Sequence, residues 1–182
     1  SKRWHAPSSL AAEQPEDSES GMAEGLQRAT FAAGCFWGVE AAFREIEGVA
    51  RTTVGYAGGQ TSNPTYRDVC GHGTGHAEAV EVWLDPSRLS YDDLLGRFWA
   101  IHNPTTRNRQ GLNIGSQYRS AIFVHDADQA AQARVSLAEH QKQRRKAIVT
   151  QIVPAEPFWK AEEYHQRYFE KPGRTACAVT LQ

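Results

Sequence analysis

The order in which hydrophobic periods follow one another constrains this chain more than any other feature of its sequence. Residues 29–33 form a short apolar run that stops at Gly34 and reads as a strand. Val39, Ala42, Phe43 and Ile46 then recur at the i, i+3, i+4, i+7 spacing of an amphipathic helix, with Gly48 as its stop. Residues 49–56 are rich in β-branched side chains, close at Gly58-Gly59 and read as a second strand. Residues 61–75, rich in Gly, Asn and Pro, are expected to be loop. Residues 77–84 alternate and halt at Asp85-Pro86, a third strand. Ser90 opens a helix that turns Leu94, Leu95, Phe98 and Trp99 inward and ends at Asn103-Pro104. After a long polar loop, residues 118–124 read as a fourth strand.

The resulting order, β-α-β-β-α-β, predicts an α+β fold: a two-layer α/β plait with the ferredoxin-like split βαβ core. Beyond it the pattern predicts a helix over 127–145, an extra strand over 147–153, a helix over 158–168 and an extended coil tail holding Cys177. A chain of 182 residues suits one domain, assigned here to residues 28–182. Residues 1–27 carry too few large apolar side chains to repay ordering and are expected to form a flexible tail.

A formal charge of −1 removes the clustered cations that general nucleic-acid binding requires. The one basic run, residues 142–146, falls late in a helical pattern and reads as a solvated helix face. No apolar stretch approaches the roughly 20 residues of a membrane span, and no signal-peptide core is seen. The chain therefore reads as soluble, cytoplasmic and free of membrane contact. Its three cysteines, Cys35, Cys70 and Cys177, are too few and too dispersed for a disulfide scaffold. They are inert thiols, metal ligands or redox groups. Cys70-Gly71-His72 with His76 has a superficial metal-ligand spacing but lacks a nearby fourth ligand, and no metal or cofactor is expected.

Cys35 is the informative one, because it sits between a strand and a helix. Free backbone N–H groups at a helix start favour an anion there and are expected to lower the thiol pKa. Gly34 and Gly38 allow a tight turn and close approach, and Phe36 and Trp37 suggest an apolar cup for a small uncharged group. Three readings follow from these residues: a redox thiol, a cysteine hydrolase using His76 or His102 as base, and a peptide-binding module working through Phe36 and Trp37. A buried structural cysteine is the plain alternative.

The blocks around this cysteine decide among them. Gly34-Cys35-Phe36-Trp37-Gly38-Val39-Glu40 resembles the signature of the A-class peptide methionine sulfoxide reductases. The resemblance continues through Val54-Gly55-Tyr56-Ala57-Gly58-Gly59, Asn63-Pro64-Thr65-Tyr66-Arg67, Gly75-His76-Ala77-Glu78-Ala79-Val80 and Gly115-Ser116-Gln117-Tyr118-Arg119-Ser120. These blocks stand in order over roughly residues 29–170. The resemblance implies reduction of the S epimer of methionine sulfoxide, peptide-bound or free, in the repair of oxidised proteins. It also implies thioredoxin as the reductant. A monomer is expected.

Sulfoxide sulfur is a poor electrophile until its oxygen is hydrogen-bonded or protonated. Glu78 shares strand parity with Val80, Val82 and Leu84 and should face the apolar side, where desolvation keeps a carboxyl neutral. From parity alone it is either that acid or a glutamate reaching solvent or an arginine. The resemblance makes it the proton donor and sets Tyr66 and Tyr118 beside the sulfoxide oxygen, with Tyr56 as a neighbour. Tyr118 also shares parity with Ser120, Ile122 and Val124. By the same resemblance, Phe36 and Trp37 cradle the methyl group. A sulfenic acid left on Cys35 needs a resolving thiol, and Cys177, in a Gly-containing C-terminal tail, is expected to supply it by forming a Cys35–Cys177 disulfide. The chain departs from the family at Asn113, where an aspartate is common. Asn113 keeps hydrogen-bonding capacity without charge.

Overall fold

The computed structural model describes residues 25–174. It contains β1 (Gln27–Ala33), α1 (Phe36–Arg44), β2 (Val49–Ala57), α2 (Tyr66–Cys70), β3 (Ala77–Leu84) and α3 (Tyr91–Ala100). These are followed by β4 (Arg109–Gln110), β5 (Asn113–Ile114), β6 (Ser120–Val124), α4 (Ala127–Gln141), β7 (Gln151–Pro154) and β8 (Trp159–Lys160). The strands form a six-stranded sheet in the order β7-β6-β1-β3-β2-β8, and β4 pairs with β5 in a separate hairpin. β6 and β7 run parallel and the other neighbours antiparallel, so this is a mixed sheet in a mixed α/β fold.

β3 lies inside the sheet and is buried on both faces, with only Trp83 partly exposed. Its Val80, Val82 and Leu84 pack with Phe31, with Phe36, Val39 and Phe43 of α1, and with Leu94, Leu95, Phe98 and Trp99 of α3. The helices therefore cover one face and bury the main core there. On the other face Ala77 and Ala79 meet Ala32, Ala57 and Ala121 beneath Phe123 and Phe158. Small side chains suit that face because the segment carrying Phe158 lies close against it. A Cβ on Gly55 would stand 2.6 Å from the Phe158 ring and 2.4 Å from the Trp159 carbonyl.

Several boundaries differ from the sequence reading. The expected helix over 158–168 is instead β8 and two 3-10 turns, Glu163–His165 and Tyr168–Glu170. Phe158 packs on the alanine-rich face while Trp159 and Ala161 reach the main core. That division favours an extended segment over one helical stripe. The loop over 61–75 contains α2, nucleated by a capping box in which Thr65 and Asp68 exchange side-chain and backbone hydrogen bonds. α4 ends at Gln141, short of 145. The Gln141 side chain accepts from Ile148 N and donates to the Lys146 carbonyl, turning the basic run out of the helix. β6 starts at Ser120, so Tyr118 lies in a 3-10 turn, Ser116–Tyr118, and the parity assigned to it does not apply. Of the expected N-terminal tail only residues 25–27 are described, and Gln27 already belongs to β1. No helix among the described residues is long and apolar enough to cross a membrane.

Candidate active site

Cys35 is the N-cap of α1, reached through Gly34 at φ +102°. That backbone conformation favours glycine, and a Cβ there would stand 2.8 Å from Gln110 Cγ. The backbone N–H groups of Trp37 and Gly38 point at the Cys35 sulfur and lower its pKa, as a helix start should. They are outweighed. Burial first, and the negative field of the Glu78 carboxylate second, push the thiol up to about 12. The expected lowering by the helix start is present but is not the net result: desolvation of the charged form exceeds what the helix start returns.

Glu78 stands on β3 with 1% of its surface exposed. Its Oε1 accepts the Phe36 backbone N–H at 3.1 Å, which ties the carboxyl to the residue after Cys35. Its Oε2 is buried and has no hydrogen-bond partner among the described residues. Burial raises the carboxyl from 4.5 to about 8, partly offset by the Phe36 bond. A carboxyl in this state is an acid with a proton to give at neutral pH. Strand parity located it correctly, and the arginine partner held open for it is not what it meets.

Three phenols lie within the electrostatic reach of this carboxyl. Tyr56 lies directly opposite Glu78 in the β2–β3 register and packs against Phe36 at 5.7 Å between ring centres. Tyr66 begins α2, and its hydroxyl reaches the Cys70 thiol one turn on. Tyr118 is brought in by its 3-10 turn. Burial first, then the charges of Glu78, Cys70 and Cys35, raise its hydroxyl to about 12. Burial and the Glu78 field likewise hold Tyr66 above the usual tyrosine range. All three hydroxyls are neutral hydrogen-bonding groups at physiological pH. Cys70 packs beside them, its thiol also raised by burial.

Phe36 is buried between Tyr56, Tyr66 and His165. Trp37 remains half-buried and stacks face to face on Tyr168 at 3.8 Å, its Nε1 donating to His165 Nδ1 at 2.9 Å. Asn113 sits in β5 opposite Gln110, and its side chain makes no polar contact among the described residues. Cys177 lies outside the described residues.

Residues that pattern reading missed lock the site together. Glu162 Oε1 accepts the Tyr56 hydroxyl at 3.0 Å, and its Oε2 accepts the Tyr66 backbone N–H at 3.1 Å, joining β2 to α2. Glu40, fully buried in α1, accepts from Thr52 Oγ1 at 2.8 Å and from the Arg167 backbone at 2.7 Å. The Glu40 within the Cys35 motif and the His165 to Tyr168 stretch were visible signals. Their pairing, across more than a hundred residues, was not.

The two candidate bases of a hydrolase are occupied. His76 Nδ1 accepts from Gly59 N and its Nε2 donates to the Thr61 carbonyl, which also removes it as a metal ligand. His102 is held between the Phe98 carbonyl and Ser120 Oγ, both at 2.7 Å.

A helix-start thiol beside a neutral buried carboxyl and hydrogen-bonding phenols, on a mixed α/β sheet, defines a thiol-dependent oxidoreductase. Residues 27–182 match the family described as peptide methionine sulfoxide reductase. Peptide methionine sulfoxide reductase A2-1 of Oryza sativa subsp. japonica is 57% identical over 160 residues, covering 88% of this chain and 86% of the rice protein. The solved methionine sulfoxide reductase A of Corynebacterium diphtheriae superposes with a TM-score of 0.80 at 37% identity, covering 86% of this chain and 80% of that one. Mxr1 of Saccharomyces cerevisiae, solved in complex with Trx2, superposes with a TM-score of 0.58 at 25% identity over 80% of this chain and 86% of that one. The chain belongs to the peptide methionine sulfoxide reductase family.

Proposed function

We propose that this protein reduces the S epimer of methionine sulfoxide, in peptides or free, with Cys35 as nucleophile and Glu78 as acid. The observation that carries the assignment is the buried Oε2, without a partner among the described residues, of a carboxyl raised to about 8 and held beside Cys35 through the Phe36 N–H. A sulfoxide oxygen is the acceptor such a group lacks. Tyr66 and Tyr118 donate to the same oxygen, Tyr56 supports them from β2, and Phe36 and Trp37 enclose the methyl group. Asn113 lies on the rim as a neutral hydrogen-bonding residue.

In the step itself Glu78 passes its proton to the sulfoxide oxygen as the Cys35 sulfur bonds to the sulfoxide sulfur. The Cys35 proton replaces the one on the carboxyl, so Glu78 is regenerated. Oxygen moves to Cys35, methionine leaves as the thioether, and Cys35 remains as the sulfenic acid. The Cys177 thiol then displaces water and forms the Cys35–Cys177 disulfide. A dithiol restores both thiols, and thioredoxin fits that role, given the yeast relative solved with Trx2.

A cytoplasmic, reducing setting belongs to the same reading. So does a monomer, since every group named comes from one chain. The strands β6-β1-β3-β2, all antiparallel neighbours, with α1 and α3 on one face, support the reading of the core as a split βαβ plait. The assignment is tested by incubating a methionine sulfoxide peptide with the enzyme and dithiothreitol. Consumption of one sulfur epimer is expected, and turnover of both epimers or neither overturns it. Intact mass after one turnover without reductant should show the Cys35–Cys177 disulfide. A sulfenic acid persisting on Cys35 would exclude Cys177 as the resolving thiol.

A further inference from the structure

The last described residues are tied to the helix that starts after Cys35. Tyr168, in the 3-10 turn Tyr168–Glu170, stacks on Trp37 with ring centres 3.8 Å apart and planes 6° from parallel. Arg174 Cζ lies over the same Tyr168 ring, 4.5 Å from its centroid. A ring face covered by an indole at 3.8 Å has no room for a guanidinium, so Arg174 takes the opposite face and the three groups form one stack. Arg174 makes no ion pair among the described residues, which leaves its charge to the ring.

The supports of this stack come from α1 itself. Arg44 Nε donates to Glu170 Oε1 at 3.0 Å, and Glu40 accepts the Arg167 backbone N–H at 2.7 Å. Lys171 Nζ donates to the Glu163 carbonyl. Lys171-Pro172-Gly173-Arg174 then carries the Pro-Gly signature of a type II turn, with Gly173 at φ +81° and the Arg174 N–H donating to the Lys171 carbonyl at 3.4 Å. The turn reverses the chain and returns Arg174 over Tyr168.

Cys177 follows Arg174 by three residues, an arm that spans at most about 10 Å. Without the ring contact the last fixed residue is Lys171, and the arm doubles to six residues. The local concentration that a flexible arm gives its end falls roughly as the −3/2 power of its length, so doubling costs about threefold. Resting on the function proposed above, we propose that Arg174 is a positioning residue for the resolving step, anchoring the arm of Cys177 to the Tyr168–Trp37 stack beside the nucleophile. In that step the Cys177 sulfur bonds to the Cys35 sulfur and the sulfur–oxygen bond of the sulfenic acid breaks. The oxygen leaves as water with the thiol proton. Arg174 touches neither sulfur; it sets how often they meet.

The test mixes the reduced full chain, freed of reductant, with one equivalent of a methionine sulfoxide peptide in the presence of dimedone, which traps sulfenic acid. The ratio of Cys35–Cys177 disulfide to dimedone-labelled Cys35 reads the resolving rate whichever step is slower. Arg174→Met keeps an apolar stem without charge and should lower that ratio about two- to threefold, with the rate of methionine formation unchanged. Arg174→Lys, a cation that binds ring faces less well, should recover part of the loss. An unchanged ratio in Arg174→Met overturns the proposal, as does an Arg174→Lys variant no better than Arg174→Met. Slower methionine formation in Arg174→Met also overturns it, because the arginine would then act through Trp37 on the chemistry. Methionine formed by the intact protein without a Cys35–Cys177 disulfide removes Cys177 as the resolving thiol, and the proposal with it. No methionine from the intact protein refutes the reductase assignment on which both rest.

Discussion

The backbone N–H of Phe36 donates to Glu78 Oε1 at 3.1 Å, so the residue that follows the nucleophile holds the acid in place. One oxygen of the carboxyl is thereby spent on α1, and the other is left buried and facing no partner among the described residues. Local chain geometry at Cys35 and a strand more than forty residues away are coupled by a single bond.

Glu78→Gln keeps an acceptor for the Phe36 N–H but has no proton to give. The kcat for a methionine sulfoxide peptide should fall by about 100-fold with KM little changed. A variant retaining half the activity would remove Glu78 as the acid.

The pH dependence follows from the same carboxyl, raised from 4.5 to about 8. The rate limited by proton donation should decline as pH rises through about 8, and Glu78→Gln should lack that descending limb. The native state holds this proton where the unfolded chain releases it. The associated stability is full below the unfolded value near 4.5 and is lost as pH rises through 8. Denaturation midpoints at pH 5 and pH 9, compared between the protein and Glu78→Gln, measure that difference.

Cys35, pushed up to about 12, should react slowly with iodoacetamide at pH 7 in the absence of substrate. Because the Glu78 charge is the second cause of that shift, Glu78→Gln should speed alkylation at pH 9, where the native carboxyl is ionised. Peptide mapping of the alkylated cysteine gives the answer. A fast, pH-independent reaction at Cys35 would contradict the burial argument.

Glu162 joins Tyr56 to the start of α2. Glu162→Ala should lower kcat/KM by about tenfold as Tyr66 loosens, and should destabilise the fold by about 1–2 kcal/mol for the lost hydrogen bonds. Thermal melting and steady-state kinetics on one preparation separate the two effects. The conservative Glu162→Gln should recover part of both.

Gly55→Ala introduces a Cβ 2.4 Å from the Trp159 carbonyl and 2.6 Å from the Phe158 ring. β8 must shift away from β2, at a cost of about 1–3 kcal/mol for overpacking. Its melting temperature should drop, and hydrogen exchange over residues 158–161 should quicken. Unchanged melting would show that this edge yields freely.

Much of the architecture was readable because short-range periodicity reports it directly. The strands at 29–33, 49–56 and 77–84, and the helix opened by Ser90, appear within a few residues of their expected bounds. Legibility failed where long-range contacts override a local pattern. Phe158, Trp159 and Ala161 suggest a helix, yet they serve two faces of the sheet and form β8. Parity predicts a strand for Tyr118, but it lies in a 3-10 turn, where the Glu78 charge still acts on its hydroxyl. The Thr65-to-Asp68 cap was present in the sequence but was masked by surrounding Gly, Asn and Pro.

By itself the sequence determined which segments are strands or helices, that Cys35 stands at a strand-to-helix junction, and that Glu78 turns toward the apolar face. Those properties depend on neighbours a few residues away. Only the tertiary structure decided the protonation of the site. The donors at the α1 start lie within three residues of Cys35, but burial and the Glu78 field come from the whole packed core and prevail. The same holds for Glu162, Glu40 and His165, whose partners lie across the fold. Desolvation is set by everything that surrounds a group, and no local pattern reports it.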